Sequence, residues 1–187
     1  METAALAPTA PPNRTRTLRI ATVVGTPRPA SPAHVLARAV ADRVGKRIRS
    51  RSGAKVEVTS IDLAETATAS AGAVPKIPAE DIEEVERADL VVVASPIRRG
   101  AYTWLLKLFA DALPSRALRG KIAIPVMVAS APRHALTAEM HLRPLLIELG
   151  ASCPTPAVFA LERSLSDCDA LVGEWLERSG ASLPPYA

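Results

Sequence analysis

Few of the residues that signal chemistry on their own are present. The chain of 187 residues has two cysteines, Cys153 and Cys168. They lie too far apart for a CxxC pair and are too few for a disulfide framework. They are expected to be small buried thiols, in keeping with a reducing cytoplasm. The three histidines, His34, His134 and His141, do not join cysteine or carboxylate partners at metal-ligand spacing, so no metal site is expected. Aromatic residues make up 3% of the chain, too few to build the base-stacking platforms of a nucleic-acid binder. Lys and Arg are scattered rather than gathered into a stripe, so the net charge of +4 is not read as a nucleic-acid footprint. No apolar run approaches the roughly twenty residues that span a bilayer, and no membrane partner is expected. The opening METAALAPTAPPNRT lacks a basic start followed by an apolar segment and is not read as a signal peptide. Residues 1–16 read as a disordered arm rich in Pro, Ala and Thr, and residues 17–187 as a single domain.

What is present is a regular alternation of two periodicities. Leu18 to Val24 is a β-branched run that stops at Gly25, and helical spacing follows from Ser31 to about Arg51. Lys55 to Thr59 alternates as a second strand, and Ala64 to Pro78 reads as a surface loop. Asp81 to Arg87 predicts a short helix, Leu90 to Ala94 a strand buried on both faces, and Thr103 to Leu113 a helix. Lys121 to Val128 predicts a strand and Thr137 to Leu149 a helix, then a weaker strand near Pro156 to Leu161 and a helix from about Ser166 to Ser179. Strands alternating with helices make βαβ units, hence a parallel sheet with helices on both faces. The fold class is α/β, a doubly wound five-stranded parallel sheet in the flavodoxin-like order 2-1-3-4-5.

In such a sheet ligands bind outside the carboxyl ends of the strands, where the strand order reverses. The first, third and fourth strands exit there through GTPRPAS, SPIRRGAY and ASAPRHA. The first loop leads into a helix whose amino end attracts anions, with hydroxyls on Thr26 and Ser31 and a guanidinium on Arg28. Ser31 followed by Pro32 also reads as an ordinary N-cap, so a phosphate site and a plain capped helix both remain open. In the second loop Pro96 stiffens the backbone, Ile97 offers an apolar edge, and Arg98 and Arg99 suit phosphate, carboxylate or a ring face. The third loop, Ala129-Ser130-Ala131, is small enough for close approach to a planar ligand. His134 beyond it suits a ligand contact or a half-buried structural role.

Two further features point away from the loops. The helix Thr103 to Leu113 carries Lys107 and Asp111 on one face, while Trp104, Leu105, Leu106, Leu108 and Phe109 occupy most of the rest. One sheet cannot bury so wide an apolar surface, and a homo-oligomeric contact is expected. Pro144 lies inside the Thr137 to Leu149 helix and cannot donate to the carbonyl of Met140, so a bend or bulge is expected there.

The ordered set GTPRPAS, VVVASPIRRGAYTWLLKLFADALPSRALRGKIAIPV and HALTAEMHLRPLLIELGA resembles the NADPH-dependent FMN reductase family. Within it, the chain is most similar to the branch that supplies reduced flavin to alkanesulfonate monooxygenases. The resemblance implies a homodimer or homotetramer with FMN at the crevice and NADPH or NADH as electron donor. Thr26, Arg28 and Ser31 would hold the FMN phosphate. Pro96, Ile97 and Arg98 of the second loop and Ala129, Ser130 and Ala131 of the third would frame the isoalloxazine. Hydride transfer from nicotinamide needs alignment rather than a protein acid or base, so no catalytic residue is named. A monooxygenase would be the client for the reduced flavin. The chain departs from the family at Arg98, where tyrosine is usual, at Trp104 near a usual glycine, and at Ala129-Ser130 in place of a Gly-Gly pair. Ala33 and His34 stand where hydroxyl or amide residues are usual, and Met140 or His141 where the flavin-supplying branch has an aromatic or histidine. A flavodoxin-like subunit with weakened or lost flavin binding, acting as an oligomeric partner or on another small ligand, is the competing reading. A reductase of quinones or azo compounds is the third.

Overall fold

In the computed structural model, residues 17–67 and 75–183 are described. The expected amino-terminal arm and part of the expected 64–78 loop lie outside them. Five strands pair in the order β2-β1-β3-β4-β5, every pairing parallel, as the alternation of strands and helices predicted. They are β1 (Leu18–Val24), β2 (Val56–Asp62), β3 (Leu90–Pro96), β4 (Ile122–Ala129) and β5 (Val158–Leu161). The helices are α1 (Pro32–Ser52), α2 (Leu63–Thr66), α3 (Ala79–Arg87), α4 (Trp104–Ala112), α5 (Arg143–Glu148) and α6 (Cys168–Ser179).

Side-chain alternation along the strands divides the core in two. Ile20, Val24, Leu90, Val92, Ile124 and Val126 pack against α1 and α6. Their neighbours Ala21, Val23, Val91, Val93, Ala123 and Met127 face α3, α4 and α5. Every residue of β3 is buried, which explains why its sequence is a continuous apolar run rather than an alternating one. Each fully buried Val or Leu stabilises the fold by about 1.5–3 kcal/mol relative to exposure. Ser31 caps α1, accepting the His34 N–H, and Gly53 ends it in the left-handed region at φ 67°. Thr103 caps α4, accepting the Leu106 N–H at 3.2 Å.

The structure departs from the sequence reading in several places, one being the short helix α2, which occupies the start of the stretch read as a surface loop from Ala64. β2 continues to Asp62 rather than stopping at Thr59, and β3 continues to Pro96. The predicted 137–149 helix is divided: a π-helix over Ala138–Leu142 leads into α5. The proline ring at 144 removes a donor and crowds the carbonyl four residues back. The preceding turn widens, with the Arg143 N–H reaching the Ala138 carbonyl. Both cysteines are free but half-buried rather than fully buried. No helix among the described residues is long and apolar enough to cross a membrane.

Candidate functional site

Three loops leave the carboxyl edge of the sheet side by side, and hydrogen bonds tie each to its neighbour. Gly25 is the link between the first and second. Its N–H donates to the Ala94 carbonyl at 2.8 Å, and its own carbonyl accepts from Thr103 Oγ1 at 2.6 Å and Ser95 Oγ at 3.3 Å. Ser95 Oγ in turn accepts the Thr103 N–H at 3.0 Å. A side chain at position 25 would meet Leu106 Cβ at 2.3 Å and its Cα at 2.9 Å. Glycine is therefore required by the close approach of β1 to α4. The second loop is tied to the end of β4, from which the third loop leaves, through the Ile97 N–H, which donates to the Val128 carbonyl at 2.8 Å.

In the first loop Thr26 and Ser31 are buried and Arg28 is exposed. Thr26 Oγ1 accepts the Arg28 N–H at 3.4 Å, and Ser31 Oγ accepts the His34 N–H at 3.3 Å. Each hydroxyl thus has a lone pair engaged by the backbone while its own proton remains available to donate. Together with Arg28 and the amino end of the 21-residue α1, this donor set fits a phosphate monoester.

The second loop contains a turn that the sequence reading missed. Arg98 and Ala101 exchange backbone hydrogen bonds of 2.8 and 3.1 Å. The two residues between them, Arg99 and Gly100, have φ of 52° and 83°, the pair of positive values a type I′ turn requires. Gly100 was the available signal. Pro96 is buried at the end of β3, Ile97 is half-buried against the core, and Arg98 and Arg99 are exposed on the hairpin. In the third loop Ala129 is buried, Ser130 exposed and Ala131 half-buried.

Sequence reasoning also missed Asp62. It is buried at the end of β2, and its Oδ2 accepts the Ala30 N–H at 3.3 Å while Oδ1 accepts the Ala64 N–H at 3.1 Å. Ala30 has φ 50°, so the carboxylate holds the first loop in a backbone conformation that alanine rarely adopts. The same Oδ2 lies 3.2 Å from His34 Nδ1. The strand end escaped notice because two successive polar residues, Thr59 and Ser60, break the alternation.

A second polar network braces the π-helix. The Arg143 guanidinium bonds both oxygens of Glu139 and the carbonyls of Cys153 and Thr155, the last two at 2.5 and 2.6 Å. Glu139 Oε1 also accepts the Ala157 N–H at 2.7 Å. The hydrogen bond from Arg143 holds the Glu139 carboxyl below its usual range. Burial pushes the Cys153 thiol up, which makes it a poor nucleophile. No group of three or more metal-ligating side chains occurs among the described residues. A small cavity bordered by Val23, Val93, Leu106, Phe109 and Leu146 is apolar and holds about 10 Å³. That is at the threshold for one water, a packing gap rather than a site.

Similarity to known proteins bears on the same segments. The family model for NADPH-dependent FMN reductases matches residues 18–165. An FMN reductase (NADPH) of Pseudomonas aeruginosa is 36% identical over 141 residues, 74% of this chain and 73% of that protein. The NADH-dependent FMN reductase SfnF of Pseudomonas putida is 29% identical over 136 residues, 70% of each chain. The match to an FMN reductase (NADPH) of Escherichia coli K12 is shorter: 35% identity over 85 residues, spanning 46% of this chain and 44% of that relative's length. Among solved structures, an oxidoreductase from Corynebacterium diphtheriae superposes with a TM-score of 0.68 at 25% identity, covering 88% of this chain and 98% of that one. The apo form of the NADH:FMN oxidoreductase EMOB gives 0.65 at 23%, covering 87% and 90%, and supports the fold alone. The chain belongs to the NADPH-dependent FMN reductase family.

Proposed function

We propose that the protein is a cytoplasmic NAD(P)H-dependent flavin reductase that takes FMN at the carboxyl edge of its sheet. The observation that carries this reading is the first loop. Inside the family-matched segment Thr26, exposed Arg28 and Ser31 fall within six residues leading into the amino end of α1. When bound, FMN supplies a two-electron acceptor for a hydride from reduced nicotinamide. The chain's part is to hold and orient. Thr26, Arg28 and Ser31 neutralise and bond the phosphate, while half-buried Ile97, on a backbone that buried Pro96 stiffens, gives an apolar edge for a flat ring. Ala129, Ser130 and Ala131 permit close approach without bulk. No side chain is required to move a proton. Arg98 replaces an aromatic contact with a guanidinium able to stack on a ring face.

The expected result is oxidation of NADPH or NADH that depends on added FMN. No such oxidation with either nicotinamide would overturn the reading. Arg28→Ala should weaken FMN about ten- to a hundredfold, the effect of losing a charge-assisted hydrogen bond. Riboflavin, which has no phosphate, should bind the variant and the parent alike.

A second copy of the chain is the proposed partner at the face formed by α4, the π-helix and α5. Trp104 in α4, Leu136 just before the π-helix, Met140 within it and Ile147 in α5 are 57%, 68%, 65% and 53% exposed, large apolar side chains of the kind that suit an interface. Sedimentation at micromolar concentration should give a dimer or tetramer; a monomer would count against it. A monooxygenase, which consumes reduced flavin, is the proposed client.

A further inference from the structure

Family membership leaves the electron donor open: the Pseudomonas aeruginosa relative carries NADPH in its name and the Pseudomonas putida one NADH. The charge of the three loops bears on that choice. Residues 25–31, 95–103 and 129–135 contain four arginines, Arg28, Arg98, Arg99 and Arg133, and no aspartate or glutamate. All four are exposed, and none takes part in an ion pair among the described residues. FMN brings one phosphate, which Arg28 answers, and Arg98 is taken up by the ring in the reading above. Arg99 is left with no anion to meet. It stands at the tip of the hairpin closed by the backbone bonds of Arg98 and Ala101. A carbon added at Gly100, the other tip residue, would find nothing within 4 Å, so the tip projects clear of the body of the protein. Its base is fixed, because Ile97 is bonded to Val128 of β4, and Ser95 and Thr103 bond each other and the Gly25 carbonyl. A guanidinium on a free tip with an anchored base suits an anionic group at the mouth of the crevice rather than inside it.

Reduced nicotinamide must bring its ring onto the flavin, so its pyrophosphate is drawn towards the crevice and its adenosine ribose is left at the mouth. NADPH carries a phosphate monoester on that ribose, where NADH has a hydroxyl. We propose that Arg99 selects NADPH over NADH, through a forked, charge-assisted contact with the adenosine 2′-phosphate. Arg133 on the third loop adds to the attracting potential. The inference rests on the flavin-reductase reading of the site and adds to it the choice of donor.

The ratio of kcat/KM for NADPH to that for NADH, in FMN-dependent oxidation, measures the choice. The parent should favour NADPH at least about tenfold, the worth of one charge-assisted contact at a partly exposed site. Arg99 has φ 52°, and asparagine is favoured at that position of a type I′ turn. Arg99→Asn therefore removes the charge and leaves the hairpin at least as stable, which a urea midpoint checks. This variant should lose most of the preference, through a higher KM for NADPH with kcat kept. Arg99→Lys keeps the charge and should keep much of the preference. Arg116→Asn is the matched control. Arg116 is also exposed, at φ 57°, but it precedes β4 at the opposite end of the sheet, and the preference should not change. Calorimetry with FMN saturating gives a readout without turnover. The parent should bind adenosine 2′,5′-bisphosphate about tenfold more tightly than adenosine 5′-monophosphate, and Arg99→Asn should bind the two alike. Three results would overturn the role of Arg99 and leave the flavin reading standing: FMN-dependent oxidation without preference for NADPH, a preference that survives Arg99→Asn, or an equal loss towards both donors, which would put the arginine on the pyrophosphate. No FMN-dependent oxidation of either donor would overturn both.

Discussion

Gly25→Ala is expected to destabilise the protein by about 3 kcal/mol, at the upper end of what overpacking a core usually costs. The added methyl would stand 2.3 Å from Leu106 Cβ and 2.9 Å from Leu106 Cα. Neither atom can rotate away, since both are fixed by the backbone of α4. For the same reason Leu106→Ala should not rescue the variant, because alanine keeps both atoms. Relief requires β1 and α4 to separate, and that stretches the hydrogen bonds from Thr103 and Ser95 to the Gly25 carbonyl. Those bonds join the first loop to the second, so FMN affinity should fall with stability. Gly53→Ala makes a useful comparison. Gly53 has φ 67° with nothing within 4 Å of its added carbon, so its cost is backbone strain alone, about 1 kcal/mol. Urea midpoints of the two variants, at unchanged m-value, measure the difference. A Gly25→Ala effect no larger than that of Gly53→Ala would show that the contact with α4 relaxes freely and that glycine is not needed there.

Periodicity revealed the elements, and the rule that ligands bind at the strand-order reversal revealed which ends mattered. Both are properties of short windows of sequence, and β1, α1, β3, α4 and β4 emerge within two residues of their observed limits. What stayed hidden depends on residues far apart. Asp62 and Ala30 are separated by 32 positions and Asp62 and His34 by 28, and only the pairing of β1 with β2 brings them together. Nothing in the stretch SIDLAET marks its aspartate as a brace for another loop. The Ser95, Gly25 and Thr103 linkage is equally non-local, although each residue is small and polar in a way that reads simply as loop. Lys121 shows the converse, a residue within a family-like stretch whose place is structural. It stands in one of the stretches that carry the family resemblance, and its Nζ bonds the carbonyls of Glu86 in the last turn of α3 and of Ala88 just after it, at 2.6 and 2.7 Å. Its place is at the end of the sheet opposite the loops. At Lys121, at least, the family likeness is carried by scaffold rather than by the loops. The break at Pro144 was legible because a missing donor is a local fact. That the helix would respond with a π-turn rather than a kink was not, because the Arg143 network joins it to a segment more than ten residues away.

That network carries the second large effect. Arg143→Met keeps much of the side-chain volume and removes every guanidinium hydrogen bond. The Cys153 and Thr155 carbonyls lose their recorded partner, and Glu139 keeps only the Ala157 N–H. A fully buried pair broken in this way costs about 3–5 kcal/mol. Arg143 and Glu139 are 20% and 36% exposed, and water relieves part of the loss, so about 2–3 kcal/mol is expected. The pH dependence separates this cause from simple loss of packing. The hydrogen bond from Arg143 lowers the folded-state pKa of Glu139 below its unfolded value. A carboxylate with a depressed folded pKa contributes stability above its unfolded pKa and loses it as pH falls through the folded one. The variant lacks that contribution at every pH. The gap between the parent and Arg143→Met should therefore be widest near neutrality and should narrow below about pH 4.5, the ordinary carboxylate range. Urea midpoints across that range would measure it. A gap that stays constant through acid would mean that Arg143 supports the π-helix by volume alone, and the ion pair would then add nothing to holding Met140 and His141 beside the third loop.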